Sequence, residues 1–203
     1  MPDKTIDSYI LGKINKREME GRLTVFLYTP LAPTYDNYGG IGSGAYRQGN
    51  KIWINGNEIA DATEDIIANS GKDPIRKLFF KEISEQYHGN RQAISDDIYY
   101  TFKTHEAKGH LTCQPTIQDE ERALLFEIKE AKSKYPVFRV WNLTNKADWL
   151  HGKAARIVMQ AIFQEMCSGK KANMRDTGEF LANSDLAPIR QNADYIFTKE
   201  FGG

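Results

Sequence analysis

Apolar residues recur at helical spacing through most of this chain. Near the N-terminus Ile6, Tyr9, Ile10 and Ile14 share one face of a helix predicted over 5–19, closed by Gly21. The pattern then tightens into Leu23-Thr24-Val25-Phe26-Leu27-Tyr28, whose β-branched and aromatic content predicts a strand stopped by Pro30 and Pro33. A second strand is predicted over 51–54, ending in the turn signal Asn55-Gly56. Beyond it the spacing predicts helices over 60–69, 74–87, 93–108, 118–134, 147–167 and 186–201, with an extended piece over 111–117. Asp73-Pro74 supplies a cap and a first-turn proline. Thr116 and Asp119 resemble a capping box, and Pro136 reads as a helix stop. Val137-Phe138-Arg139-Val140-Trp141 reads as a third strand.

These elements imply a helix-rich α+β fold, a single domain over 1–203, with a small sheet, mixed or antiparallel, built from 23–28, 51–54 and 137–141. A chain of 203 residues can bury one sizeable core. The longest irregular stretch is 31–50, which holds five of the sixteen glycines interleaved with Tyr35, Tyr38 and Tyr46. Long structureless loops are usually functional. Tyr35, Tyr38, Ser43, Tyr46 and Arg47 are therefore its candidate ligand- or partner-contacting residues. Gly40-Ile41-Gly42-Ser43-Gly44-Ala45 has the look of a phosphate loop but lacks the Lys-Ser/Thr that a P-loop needs.

Lys and Arg total 27, as do Asp and Glu, so the formal net charge is zero and a dedicated nucleic-acid binder is disfavoured. Cys113 and Cys167 lie far apart with no C-x-x-C, which favours reduced thiols over a stapled secreted scaffold. Asp3, Lys4 and Asp7 occupy the place of a signal-peptide apolar region, and no apolar run reaches the roughly 20 residues of a membrane span. The expectation is a cytoplasmic protein with no membrane attachment, whose partner is a protein or peptide.

The chemistry concentrates in His105-Glu106-Ala107-Lys108-Gly109-His110. Two histidines one turn apart can hold zinc, while the glutamate beside the first serves as general base. This spacing is one residue longer than H-E-x-x-H. In a regular helix His105 and His110 lie about 500° apart, a net of about 140°, and so are expected not to converge. A one-residue π-type bulge would realign them. The six residues resemble the H-E-x-x-G-H of the dipeptidyl peptidase III family, including Gly109. That resemblance implies such an extra residue in the helix, two zinc-binding histidines and a catalytic glutamate. A third ligand is expected from the following helix. There Glu120, Glu121 and Glu127 flank the apolar face defined by Leu124, Ile128, Ala131 and Tyr135, and Glu130 lies on its far side.

The reading that follows is a zinc-dependent, peptidase-like hydrolase. It places His105, His110 and one of Glu120, Glu121 or Glu127 on the metal, with Glu106 as base. An alternative is a non-catalytic interaction protein of phage, plasmid or effector type, working through the 31–50 loop. A lesser alternative is a Mg²⁺-dependent nuclease using the E-x-K pair Glu127 and Lys129, which requires 122–130 to be a strand. His110-Leu111-Thr112 supplies only half of a 2H phosphoesterase signature. A thiol nucleophile at Cys113 or Cys167 would need His151 as partner.

Overall fold

The computed structural model describes residues 12–30, 45–111 and 115–202. Among them are four strands, β1 (Gly12–Glu20), β2 (Leu23–Pro30), β3 (Ala45–Gln48) and β4 (Lys51–Asn55), followed by eight α-helices. The helices are α1 (Gly56–Ile67), α2 (Pro74–Gln86), α3 (Arg91–Thr104), α4 (Ile117–Lys129), α5 (Tyr135–Leu143), α6 (Leu150–Met166), α7 (Met174–Asn183) and α8 (Leu186–Phe201). A π-helical turn, His105–Gly109, extends α3. The fold is a helix-rich α+β domain.

The sheet runs β1-β2-β4-β3 and is mixed. β1 and β3 pair antiparallel with their neighbours, whereas β2 and β4 run parallel. Period-2 alternation sends Val25, Ile52 and Ile54 into the main core and Phe26, Tyr28 and Trp53 to the other face. On that second face the Phe26 and Trp53 rings stack at 4.4 Å. Phe79, Phe80, Phe138 and Trp141 pack ring on ring between α2 and α5. Helix α4 is central: it packs against α6, α8, α5 and the π-turn.

Several expectations change. In place of the helix over 5–19, Gly12–Glu20 is an edge strand paired with β2, and positions 5–11 lie outside the described residues. Its apolar residues do not define a buried helical face: Ile14 and Met19 are exposed. Gly21, at φ +60°, opens a two-residue hairpin turn, a conformation that glycine supplies without strain. Residues 137–141 form helix rather than strand. Pro136 sits in the first turn of α5, where a proline starts a helix, and every residue from Val137 to Trp141 is buried. A short apolar run surrounded on all sides looks the same in either conformation. The stretch 31–50 is not one loop, because Ala45–Gln48 is strand β3 and a turn at Gly49 and Asn50 leads into β4. Tyr35, Tyr38 and Ser43 fall outside the described residues. Helix α7 was not anticipated. Its cap is Asn173, whose side chain accepts from Asp176 N at 2.9 Å.

Candidate metal centre

Helix α3 begins at Asn90, whose side chain accepts from Ala93 N at 3.1 Å, and runs into the π-turn without a break. There the hydrogen bonding widens: His110 N donates to His105 O, five residues back, at 3.2 Å. The wider turn absorbs the residue that separates this motif from H-E-x-x-H. The regular-helix expectation is thereby overturned, and the two imidazoles meet with Nε2 atoms 3.1 Å apart. Gly109 makes this possible. A Cβ there would lie 2.7 Å from Ala123 Cα and 2.8 Å from its Cβ, so only glycine lets the turn lie flat on α4.

The turn is tied down from outside as well. Arg122 Nη1 donates to Lys108 O at 3.1 Å and also bonds Gly109 O. Arg47, on β3, donates from Nη1 to His110 O at 3.2 Å. Lys108 Nζ lies 3.3 Å from Glu20 Oε1 on β1.

Helix α4 brings in the carboxylates. Glu120 is fully buried, with Oε1 3.5 Å from His110 Nε2 and Oε2 3.7 Å from His105 Nε2. His105, His110 and Glu120 each offer a ligand atom, all within 4.8 Å of one another, and so form a group that could hold a metal ion. Two donors on one tetrahedral zinc, each about 2.0–2.1 Å from it, stand roughly 3.3 Å apart. The observed separations bracket that value.

Each histidine is oriented from behind. Asp119 Oδ2 lies 2.9 Å from His110 Nδ1, while its other oxygen accepts from Leu111 N at 2.9 Å. Glu127 Oε2 lies 2.7 Å from His105 Nδ1, close but out of line for a hydrogen bond, and accepts from Arg139 Nη1 at 2.6 Å. The carboxylate bonded to His110 Nδ1 keeps the proton there and leaves its Nε2 free to accept or ligate, the tautomer and backing that metal-bound histidines use, whereas Glu127 lies against His105 Nδ1 without bonding it. The two Nε2 atoms face each other at 3.1 Å, a separation that a proton shared between them or a cation bound by both would satisfy.

Burial sets the charge states. It holds His105 well below its ordinary pKa, reinforced by the Arg139 charge, and lowers His110 against the pull of Asp119. Burial also pushes Glu120 up to about 8, aided by the neighbouring Glu106 charge. Glu106 rises to about 7 through burial despite Arg139. Glu127 rises to about 7 by burial, opposed by the same arginine. Near neutral pH the histidines are therefore unprotonated, ready to donate lone pairs.

Glu121 is half-buried and senses the charge of Glu200; it does not join the group. Of the E-x-K pair, Glu127 backs His105 while Lys129 Nζ points to Asp194 at 3.0 Å. Both stand on a helix, so the strand geometry that a nuclease reading requires does not form. Tyr46 and Arg47 belong to β3. Cys167 caps the far end of α6, about 24 Å of helix away from His151, which rules out a thiol–imidazole pair between them.

Asp119, read as part of a helix cap, Arg139, read as part of a strand, and His151 were not anticipated at the centre. His151, in the first turn of α6, places Nε2 3.2 Å from Glu120 Oε1. Burial lowers its pKa to about 4, with the Arg139 charge next in weight. Nothing local in the sequence marks it, because only the packing of α6 on α4 brings it in.

No helix among the described residues is long and apolar enough to cross a membrane. No known protein family, curated protein sequence or solved structure matches this chain.

Proposed function

We propose that this chain is a zinc-dependent hydrolase, peptidase-like in its chemistry, with His105, His110 and Glu120 as ligands and Glu106 as general base. The observation that carries the reading is the state of Glu120. It is fully buried, neither oxygen has a hydrogen-bond partner, and the Nε2 atoms of two imidazoles stand within 3.7 Å. With its pKa raised to about 8, Glu120 holds a proton near neutral pH, and a cation among these donors would take the place of that proton on oxygens that nothing else bonds. Two imidazoles and a carboxylate form a donor set typical of catalytic zinc, which keeps one position open.

When bound, the ion would polarise a carbonyl and acidify a water. Glu106 directly follows the first histidine, is buried, and has its carboxyl raised to about 7, the range in which a general base works best near neutral pH. Asp119, Glu127 and Arg139 would hold the two rings in register and strengthen them as donors.

The test is metal analysis of protein purified without chelator, followed by zinc titration and assay against a quenched-fluorescent peptide library. One zinc per chain is expected, lost in His105→Ala. Glu106→Gln should keep the zinc and lose hydrolysis. Absence of near-stoichiometric zinc, together with no rise in melting temperature on adding it, would refute the metal centre. Full hydrolysis by Glu106→Gln would remove the general base.

A further inference from the structure

We infer that His151 is a fourth donor of this centre: the exchangeable one, which closes the coordination shell at rest and yields its place to water or substrate. The inference rests on the reading of His105, His110 and Glu120 as metal ligands and adds to it how access is controlled.

Geometry supports it first. The 3.2 Å between His151 Nε2 and Glu120 Oε1 is close to the roughly 3.3 Å separating two donors on one tetrahedral ion. Counting His151, three imidazole nitrogens from two separate parts of the chain lie within 3.7 Å of Glu120, yet neither carboxylate oxygen accepts a hydrogen bond from any of them. Groups that merely paired with one another would align. His151 meets the group through Glu120 alone, so it would join the shell by a turn of its partly exposed side chain towards the point that the other three share.

The placement of His151 is built rather than incidental. Gly152, its neighbour, sits where any Cβ would collide with the carbonyl of Lys146, so the first turn of α6 lies tight against the turn before it. Arg156 Nε donates to Thr144 O at 2.9 Å and fixes α6 to the end of α5 from its other side.

Exposure then separates His151 from the rest. Its side chain is 26% exposed, against 1% for His105, 5% for His110 and 0% for Glu120. It also stands outside the 4.8 Å span of the three buried donors, on the Glu120 side. Of the four it alone has solvent to move into. Four protein donors make a closed shell, the arrangement of a structural site; three make an open one. A histidine that can leave converts one into the other.

Copper(II) is the probe, because pulsed electron paramagnetic resonance counts coordinated imidazoles. The full chain should show three, and His151→Ala and His151→Gln two each. Zinc affinity should fall at least about tenfold in both variants, while loss of zinc to a chelator speeds up. The two substitutions differ in bulk and polarity, and circular dichroism with melting curves establishes that each folds. Two imidazoles in the wild type, unchanged in both variants, with zinc affinity unaltered, would overturn the inference. If His105→Ala still abolished binding in that case, the three-ligand centre would stand without it. Failure of the wild type to bind either metal would remove both.

Discussion

Replacing Gly109 by alanine adds one methyl group at the point where the π-turn touches α4. The new Cβ would lie 2.7 Å from Ala123 Cα and 2.8 Å from Ala123 Cβ. Carbon atoms settle at about 3.5–4.0 Å, so the turn and the helix must part by roughly 0.8 Å. Overpacking of this kind costs about 1–3 kcal/mol. Alanine is about 1 kcal/mol better than glycine inside a helix, so the net destabilisation is about 0–2 kcal/mol. In a chain of this length that lowers the melting temperature by up to roughly 8 °C. The effect on the metal should be larger in proportion. Asp119, Glu120 and Glu127 all ride on α4 around Ala123, and a shift of roughly 0.8 Å exceeds the roughly 0.5 Å within which such constellations must be held. Zinc affinity should therefore fall about tenfold or more while the apoprotein stays folded. Isothermal titration gives the affinity, and melting curves with and without chelator give the stability. Wild-type zinc affinity in Gly109→Ala would show that the approach of the turn to α4 does not set the donor geometry.

Two further expectations follow from the charges around the site. Arg139 is buried and bonded to Glu127 at 2.6 Å, so Arg139→Met strands a buried carboxylate and should cost about 3–5 kcal/mol in urea unfolding. Adding Glu127→Gln should restore most of that, and strict additivity of the two changes would refute the pairing. The chelator-treated protein should also lose stability between about pH 6.5 and 8. Glu106, Glu120 and Glu127 have folded pKa values of about 7, 8 and 7, raised above 4.5, so the folded state holds more protons and stability falls as pH climbs through that window. The three histidines have lowered values, so their opposite contribution fades above their ordinary value of 6.5 and only partly offsets the decline at the start of the window. Zinc-loaded protein should show a smaller decline, because ligation releases the proton of Glu120. Urea midpoints across the range, with and without zinc, measure both arms.

What the sequence reveals and conceals here has physical reasons. His105, His110 and Glu120 can be picked out because two histidines near a glutamate, and a glutamate on the flank of an apolar helical face, are local patterns. Their convergence is not local, since it depends on a π-turn whose close approach to Ala123 on α4 only a glycine at 109 allows. His151 is invisible for the same reason: only the packing of α6 on α4 brings it in. Caps read well, as at Asp73 and Thr116, because a cap is settled within four residues. The segment 137–141 read poorly, since a run buried on every side carries no period to distinguish strand from helix. β1 misled in the other direction, because its residues form a strand by pairing with β2 and not by any apolar stripe of their own.

The sheet has a part that its position at the start of a mostly helical protein hides. It contributes no donor to the centre, yet two of its strands grip the π-turn, β3 through Arg47 on the carbonyl of His110 and β1 through Glu20 on Lys108. The helical body therefore cannot be dissected free as a minimal metal-binding unit. A fragment starting at α1 would contain His105, His110, Glu120 and His151, but the turn that aims two of them would keep only Arg122 and lose both of its anchors from the sheet.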